Sequence, residues 1–250
     1  MSIRLNKLLA DRGIGARRKC DLMIESGVVR VNGKVVTELG TQVEPESDRV
    51  EVEGRPLPGA SARRTFVLNK PVGVISTLSD PEGRRSLRDF MPSGQRLFPV
   101  GRLDADTSGL LLFTNDGELA HHLMHPRYGV AKRYRVHVDR APSEGALARL
   151  RNGIEFEPGV VSAPAQVWVR DSDGDEAVIE MALHEGRHRQ VRHMCEAAGL
   201  EVRRLHRWGY GPLRLGNIER GMWRELSEED IAGLRAASAR PKAREPRVPG

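Results

Sequence analysis

Four consecutive apolar residues, Leu110-Leu111-Leu112-Phe113, follow directly on a polar turn, Gly101-Arg102-Leu103-Asp104-Ala105-Asp106-Thr107-Ser108-Gly109. A run without alternation suits a short strand covered on both faces, although periodicity alone also allows a segment of core helix. The turn carries two carboxylates and an arginine between glycines that let the backbone bend. Charges set between core-seeking runs are costly to bury unless paired. The turn is therefore either a surface loop or the lining of a cleft, and we read it as the lining of a cleft.

At 250 residues, 39% hydrophobic and 30% charged, the chain can build one large domain or a small one beside a medium one. Lys and Arg outnumber Asp and Glu by 40 to 34, a net charge of +6. With no long apolar or amphipathic anchor beside it, that surplus favours a polyanionic partner, nucleic acid before membrane. Cys20 and Cys195 stand far apart, which argues against a disulfide framework and against a thiolate zinc site. No window is apolar over the length needed to cross a bilayer. The opening MSIRLNKLLADRG has charges every few residues in place of a signal-peptide core, so a mature cytoplasmic protein is expected.

A first unit is expected over residues 1–58. Ile3, Leu5, Leu8 and Leu9 make one apolar helical face, and Gly13-Ile14-Gly15 ends that helix. A second helix follows with Cys20, Met23 and Ile24 inward. Arg17, Arg18 and Lys19 crowd its first turn, where cations oppose the helix dipole, so a phosphate partner explains them better than helix stability does. Val28–Val31, Asn32-Gly33 and Lys34–Val36 read as a hairpin with a two-residue turn, and Val50-Glu51-Val52 closes a small sheet. The stretch RLNKLLADRGIGARRKCDLMIESGVVRVNGKVV resembles the small RNA-binding domain named after the fourth protein of the small ribosomal subunit. A helical cap on the main domain is the plainer alternative. A linker is expected at 59–63, at the end of a stretch rich in Gly, Pro and Ala from Gly54 to Ala62.

The second unit, expected over 64–236, opens with a strand at Thr65–Lys70 that stops at Pro71 and continues at Gly73–Thr77. A helix is expected from Asp116 to His125, closed by Pro126. Lys132–Val138 alternates as a strand with Tyr134, Val136 and Val138 on one face. Ser143 caps a helix to about Asn152, and strands are expected at Val167–Val169 and Val178–Leu183. A helix from Arg187 to Ala198 and a strand from Leu200 to Trp208 follow, and Ser227-Glu228-Glu229-Asp230 is a capping box for a last helix. A basic disordered tail is expected at 237–250.

Three segments of this unit, Asn69-Lys70-Pro71-Val72-Gly73-Val74, Gly101-Arg102-Leu103-Asp104 with Thr107-Ser108-Gly109-Leu110, and Glu185-Gly186-Arg187-His188-Arg189-Gln190-Val191-Arg192, resemble the signatures of bacterial ribosomal RNA pseudouridine synthases. The resemblance is closest to the group that carries the N-terminal RNA-binding domain. It implies an α+β fold with a central, largely antiparallel sheet flanked by helices. It also implies isomerisation of uridine, without a cofactor, in ribosomal RNA or a ribosomal-subunit assembly intermediate, by a protein expected to be a monomer. In the segment Tyr210–Leu215 the chain resembles the large-subunit enzymes more than the small-subunit one, which implies large-subunit RNA, with small-subunit RNA as the alternative.

By the same resemblance Asp104 is the catalytic carboxylate, Arg192 its charge partner, and Tyr134 the ring that stacks on the base. A carboxylate can attack as a nucleophile or stabilise an electron-poor sugar, and a neighbouring arginine keeps it ionised. The uridine has to be flipped out of its stack. Arg102 would then meet the vacated RNA or pair with Asp106, and Lys70, Arg84, Arg85, Arg187 and Arg189 would take phosphates. Rival patterns are weaker. His184-Glu185-Gly186-Arg187-His188 has the zinc-protease spacing, but a strand runs into it and Gly186 interrupts it. Asp104-Ala105-Asp106-Thr107 has its threonine one position early for the magnesium-dependent phosphatases and is too short to specify a sugar transferase. No metal is expected. A non-catalytic RNA-binding assembly factor is the remaining alternative.

Overall fold

The computed structural model describes residues 2–94, 96–173 and 176–239. The chain divides into two compact units, one running to Arg63 and including Asn115–Gly117, the other formed by Arg64–Thr114 and the chain from Glu118 on.

In the first unit α1 (Leu5–Asp11) and α2 (Arg17–Glu25) pack over a sheet of β1 (Val29–Val31), β2 (Lys34–Val35), β3 (Val50–Val52) and β4 (Arg55–Pro56), in the order β2-β1-β3-β4. Leu5, Leu8, Leu9, Cys20, Ile24, Val29, Val43, Val50 and Val52 form its core. The hairpin turn places Asn32 at φ 51° and Gly33 at φ 79°, the left-handed pair that a tight two-residue turn needs. Two boundaries differ from expectation. Ile3 lies not on the helix but in a short extended pairing with Val43. Arg55–Pro56 pairs with β3 instead of beginning the linker stretch.

The second unit is built on β5 (Thr65–Lys70), β6 (Phe98–Val100), β7 (Thr107–Thr114), β8 (Lys132–Val138), β9 (Gln166–Ser172), β10 (Ala177–Leu183), β11 (Val202–Tyr210), β12 (Leu213–Arg214) and β13 (Trp223–Glu225). They make one nine-stranded sheet whose main order is β9-β10-β8-β11-β7-β5-β13, with β6 beside β7 and β12 beside β11. Every pairing is antiparallel except β11 with β7. Helices α3 (Gly117–Met124), α4 (Glu144–Asn152), α5 (Gln190–Ala197) and α6 (Glu228–Ala239) cover it. The unbroken apolar run now has its reason. Leu111 and Phe113 enter one core with Val136, Leu147, Val191 and Met194, while Leu110 and Leu112 enter another with Leu119, Leu123 and Leu234. A strand with a core on each face has no polar side to show.

Local signals set several ends. The Ser143 hydroxyl accepts from Ala146 N–H at 3.2 Å, and Ser227 and Asp230 exchange the two bonds of a capping box, each at 3.2 Å. Other expectations are corrected. Gly73–Thr77 forms no strand beyond a single bridge from Ile75 to Ser86. The helix expected from Arg187 begins at Gln190, because Arg189 takes a left-handed conformation, φ 47°. Residues 237–239, expected in the tail, are the last turn of α6, and 240–250 lie outside the described residues. No described helix is long and apolar enough to cross a membrane.

Candidate active site

The turn between β6 and β7 is fixed through its backbone. Buried Lys70, at the end of β5, donates from Nζ to the carbonyls of Asp104 (3.0 Å), Thr107 (2.8 Å) and Pro71 (3.0 Å). Gly73 N–H donates to Ala105 O at 2.7 Å, Leu103 N–H donates to the Ser76 hydroxyl at 3.0 Å, and Thr107 N–H donates to Asp104 O at 3.0 Å. Arg192 Nη2 donates to Asp106 O at 3.1 Å. Downstream, Gly109 lies opposite Arg207 in the parallel pairing, and a Cβ there would stand 2.2 Å from Arg207 O. No side chain fits, so the glycine permits the close strand approach that anchors the turn.

Held this way, Asp104 lines a cavity of about 390 Å³ together with Arg102, Lys132, Tyr134, Arg187, Arg189, Arg207 and Tyr210. Tyr134 is only 9% exposed and reaches the cavity from β8. The arginine nearest Asp104 is Arg189, Nη1 to Oδ2 3.9 Å. Asp106 is paired more closely, with Arg189 at 3.1 Å and Arg192 at 3.2 Å. Partial burial opposes its ionisation, but the Arg189 hydrogen bond and the charges of Arg192 and Arg189 hold its carboxyl below the usual carboxylate range.

Asp104, Tyr134, Arg102, Arg187 and Arg189 thus meet at one cavity. Arg192, expected beside Asp104, instead meets Asp106 at both carboxylate and carbonyl. Lys70, expected on RNA phosphates, is 0% exposed and spends its donors on three carbonyls, which excludes that role and makes it the clamp of the Asp104 turn. Arg102 forms no ion pair with Asp106 among the described residues. Arg84 is engaged by Asp80 at 2.8 Å, and Arg85 stacks over Phe90. In the first unit, Arg17, Arg18 and Lys19 are all exposed on the first turn of α2. The zinc-protease spacing finds no support, since no cluster of ligands suited to a metal exists among the described residues, and His184 Nδ1 lies 2.7 Å from Gly129 O.

Lys132, Arg207 and Tyr210 escape a reading of the sequence as site residues. A signal for Arg207 does exist, because it alternates with Leu205 and Gly209 on the inward face of β11. Burial, and then the charge of Arg207, push the Lys132 ammonium down to about 8, against the opposing pull of Glu185.

The site is a carboxylate, held through its backbone, at the mouth of a cavity rimmed by arginines. Residues 64–197 match the family described as RNA pseudouridylate synthase, and residues 3–50 match the S4 domain. The chain belongs to the RNA pseudouridylate synthase family. It is 45% identical to the ribosomal large subunit pseudouridine synthase B of Bacillus subtilis (strain 168), over 93% of this chain and 96% of that protein. It is 40% identical to an uncharacterized RNA pseudouridine synthase of Aquifex aeolicus (strain VF5), over 94% of each. A crystal structure of a pseudouridylate synthase superposes with a TM-score of 0.68 at 29% identity, covering 93% of this chain and 99% of that one.

Proposed function

We propose that this protein converts a uridine of large-subunit ribosomal RNA to pseudouridine, with Asp104 as the catalytic carboxylate. The observation that carries the reading is the Asp104 turn, hydrogen-bonded through its backbone at the mouth of a cavity walled by Tyr134 and rimmed by Arg102, Arg187 and Arg189. The names of the large-subunit relatives supply the RNA. The reaction is an isomerisation, in which the N1–C1′ bond breaks and a C5–C1′ bond forms, so no oxidant or hydrolytic water is consumed.

In this reading the exposed arginines guide the phosphates, Tyr134 covers the flipped base, and the rigid turn keeps the carboxylate at the reacting sugar or base without further ordering on binding. Residues 1–58 serve as the RNA-binding domain, 59–63 as linker and the chain from 64 through the end of α6 at Ala239 as the catalytic domain. Arg17, Arg18 and Lys19 bind phosphates in the first of these. The protein works as a cytoplasmic monomer on ribosomal RNA or an assembly intermediate.

Pseudouridine mapping of ribosomal RNA from cells with and without the protein tests the target. Loss of one large-subunit site supports the reading. Loss of a small-subunit site, or of none, refutes it. Asp104→Asn should abolish isomerisation while RNA affinity stays within a few-fold. Residual turnover above a few per cent would remove Asp104 from the chemistry.

A further inference from the structure

The floor of the cavity is chemically unlike its rim. At the rim Asp104 and Arg189 keep side-chain exposures of 23% and 35%. Deeper in, Arg207 is 2% exposed and Tyr210 1%. Arg207 Nε donates to Leu110 O at 2.8 Å, but its buried Nη2 has no hydrogen-bond partner among the described residues. Lys132 Nζ makes a single long bond, 3.3 Å, to the backbone carbonyl of Glu185. A Cβ at Gly186 would stand 3.2 Å from that nitrogen, so the glycine leaves the ammonium room.

Strand register brings these groups together. Lys132 lies opposite Tyr210 and Tyr134 opposite Arg207, on neighbouring strands β8 and β11. Both cations flank one ring, with Lys132 Nζ 5.7 Å and Arg207 Cζ 5.3 Å from the centre of Tyr210. Neither forms an ion pair with a carboxylate among the described residues. The Glu185 carboxylate is bonded instead by Ala163 N–H and the Gln190 amide. Two sparsely bonded cations in one recess repel each other and leave a donor unsatisfied, an arrangement that a ligand with negative oxygens would relieve.

Resting on the function proposed above, we infer that Lys132 and Arg207 bind the carbonyl edge of the flipped uracil and stabilise the base while it is detached. When the N1–C1′ bond breaks, its electron pair stays with the base, and the negative charge spreads over N1, O2 and O4. The base turns, C5 bonds to C1′, the proton on C5 leaves and N1 gains one, so the product is an isomer of the substrate. The detached base is the one species in this sequence that matches a recessed cation pair, Arg207 buried and Lys132 half-buried. The RNA phosphates stay outside the recess, where the exposed arginines stand. Preorganised charge aimed at an anion that exists only during reaction acts on the rate more than on binding.

The test compares two RNAs, one with uridine and one with 5-fluorouridine at the target position. Fluorine withdraws electrons, so the fluorinated base leaves as a weaker base and needs less help. Single-turnover rates at saturating RNA are followed as loss of the N1-linked nucleoside, the step common to both RNAs, because 5-fluorouridine has fluorine in place of the C5 proton and its C5-linked product keeps that fluorine. Lys132→Met should lower the rate by about 100-fold or more on uridine, the scale of losing one preorganised donor, but by no more than about tenfold on 5-fluorouridine. Lys132→Arg should recover most of the uridine rate, and Lys132→Gln replaces Lys132→Met if the latter is insoluble. Equal losses on both RNAs, or weakened RNA binding with an unchanged rate, would overturn the assignment. Wild-type protein that leaves uridine unchanged would overturn the function itself and this inference with it.

Discussion

Replacing Lys70 with methionine separates two roles that the same residue type can play. The stem is kept but the ammonium is lost, which takes a donor from the carbonyls of Thr107 and Pro71, while Asp104 O keeps its bond from Thr107 N–H. Each unpaired acceptor costs about 1–3 kcal/mol. Against that stands the burial of the ammonium, a penalty of several kcal/mol that the variant no longer carries. The net expectation is a loss of about 1–3 kcal/mol in unfolding free energy. A displacement of about 1 Å in the Asp104 turn should also cut the isomerisation rate about 100-fold. Urea unfolding and single-turnover assays measure the two effects.

The pH dependence has a definite sign. Burial lowers the Lys70 ammonium from 10.5 to about 8, partly opposed by Asp104 and Asp106. Between those values the unfolded chain holds the proton and the folded chain does not, so this group's contribution to stability rises with pH. The difference between wild type and Lys70→Met should therefore move in favour of wild type from pH 8 to 10.5. Activity should fall over the same range, since a neutral amine has two hydrogens for three carbonyls. Unchanged stability and rate, with weaker RNA binding and a shallower salt dependence, would refute the clamp and restore Lys70 to the RNA surface.

Gly109→Ala places a Cβ 2.2 Å from Arg207 O, so it should break the β7–β11 pairing and destabilise by more than about 4 kcal/mol; a soluble variant with an unchanged melting temperature would contradict this. Asp106→Asn removes the anion that gathers Arg189 and Arg192, and it should lower turnover about tenfold with RNA affinity retained, far milder than the Asp104→Asn loss; steady-state kinetics decide. Triple replacement of Arg17, Arg18 and Lys19 by alanine should reduce the slope of log affinity against log salt by about two, at about 0.7–0.9 for each phosphate no longer neutralised, with turnover at saturating RNA little changed. An unchanged slope would remove the first unit as an RNA anchor.

What the chain disclosed unaided was everything governed by neighbours in sequence. The Asn32-Gly33 turn, the caps at Ser143 and Ser227, the alternation of Lys132–Val138 and the uninterrupted apolar run of Leu110–Phe113 are short-range patterns, and each became the element it implied. The turn around Asp104 was equally legible as the lining of a cleft. Side-chain destinations were not. Asn69-Lys70-Pro71 reads the same whether the lysine meets solvent or threads beneath a turn, and only the docking of β5 on β7 puts its nitrogen against Asp104 O. Whether Arg189 or Arg192 approaches Asp104 turns on the left-handed Arg189 that delays the start of α5 from Arg187 to Gln190, which periodicity does not show. Lys132 and Arg207 share a recess because β8 and β11 pair in a register with a bulge between Arg133 and Tyr134. That register joins strands far apart in the chain and is set by burial on both faces of the sheet, which no local window contains.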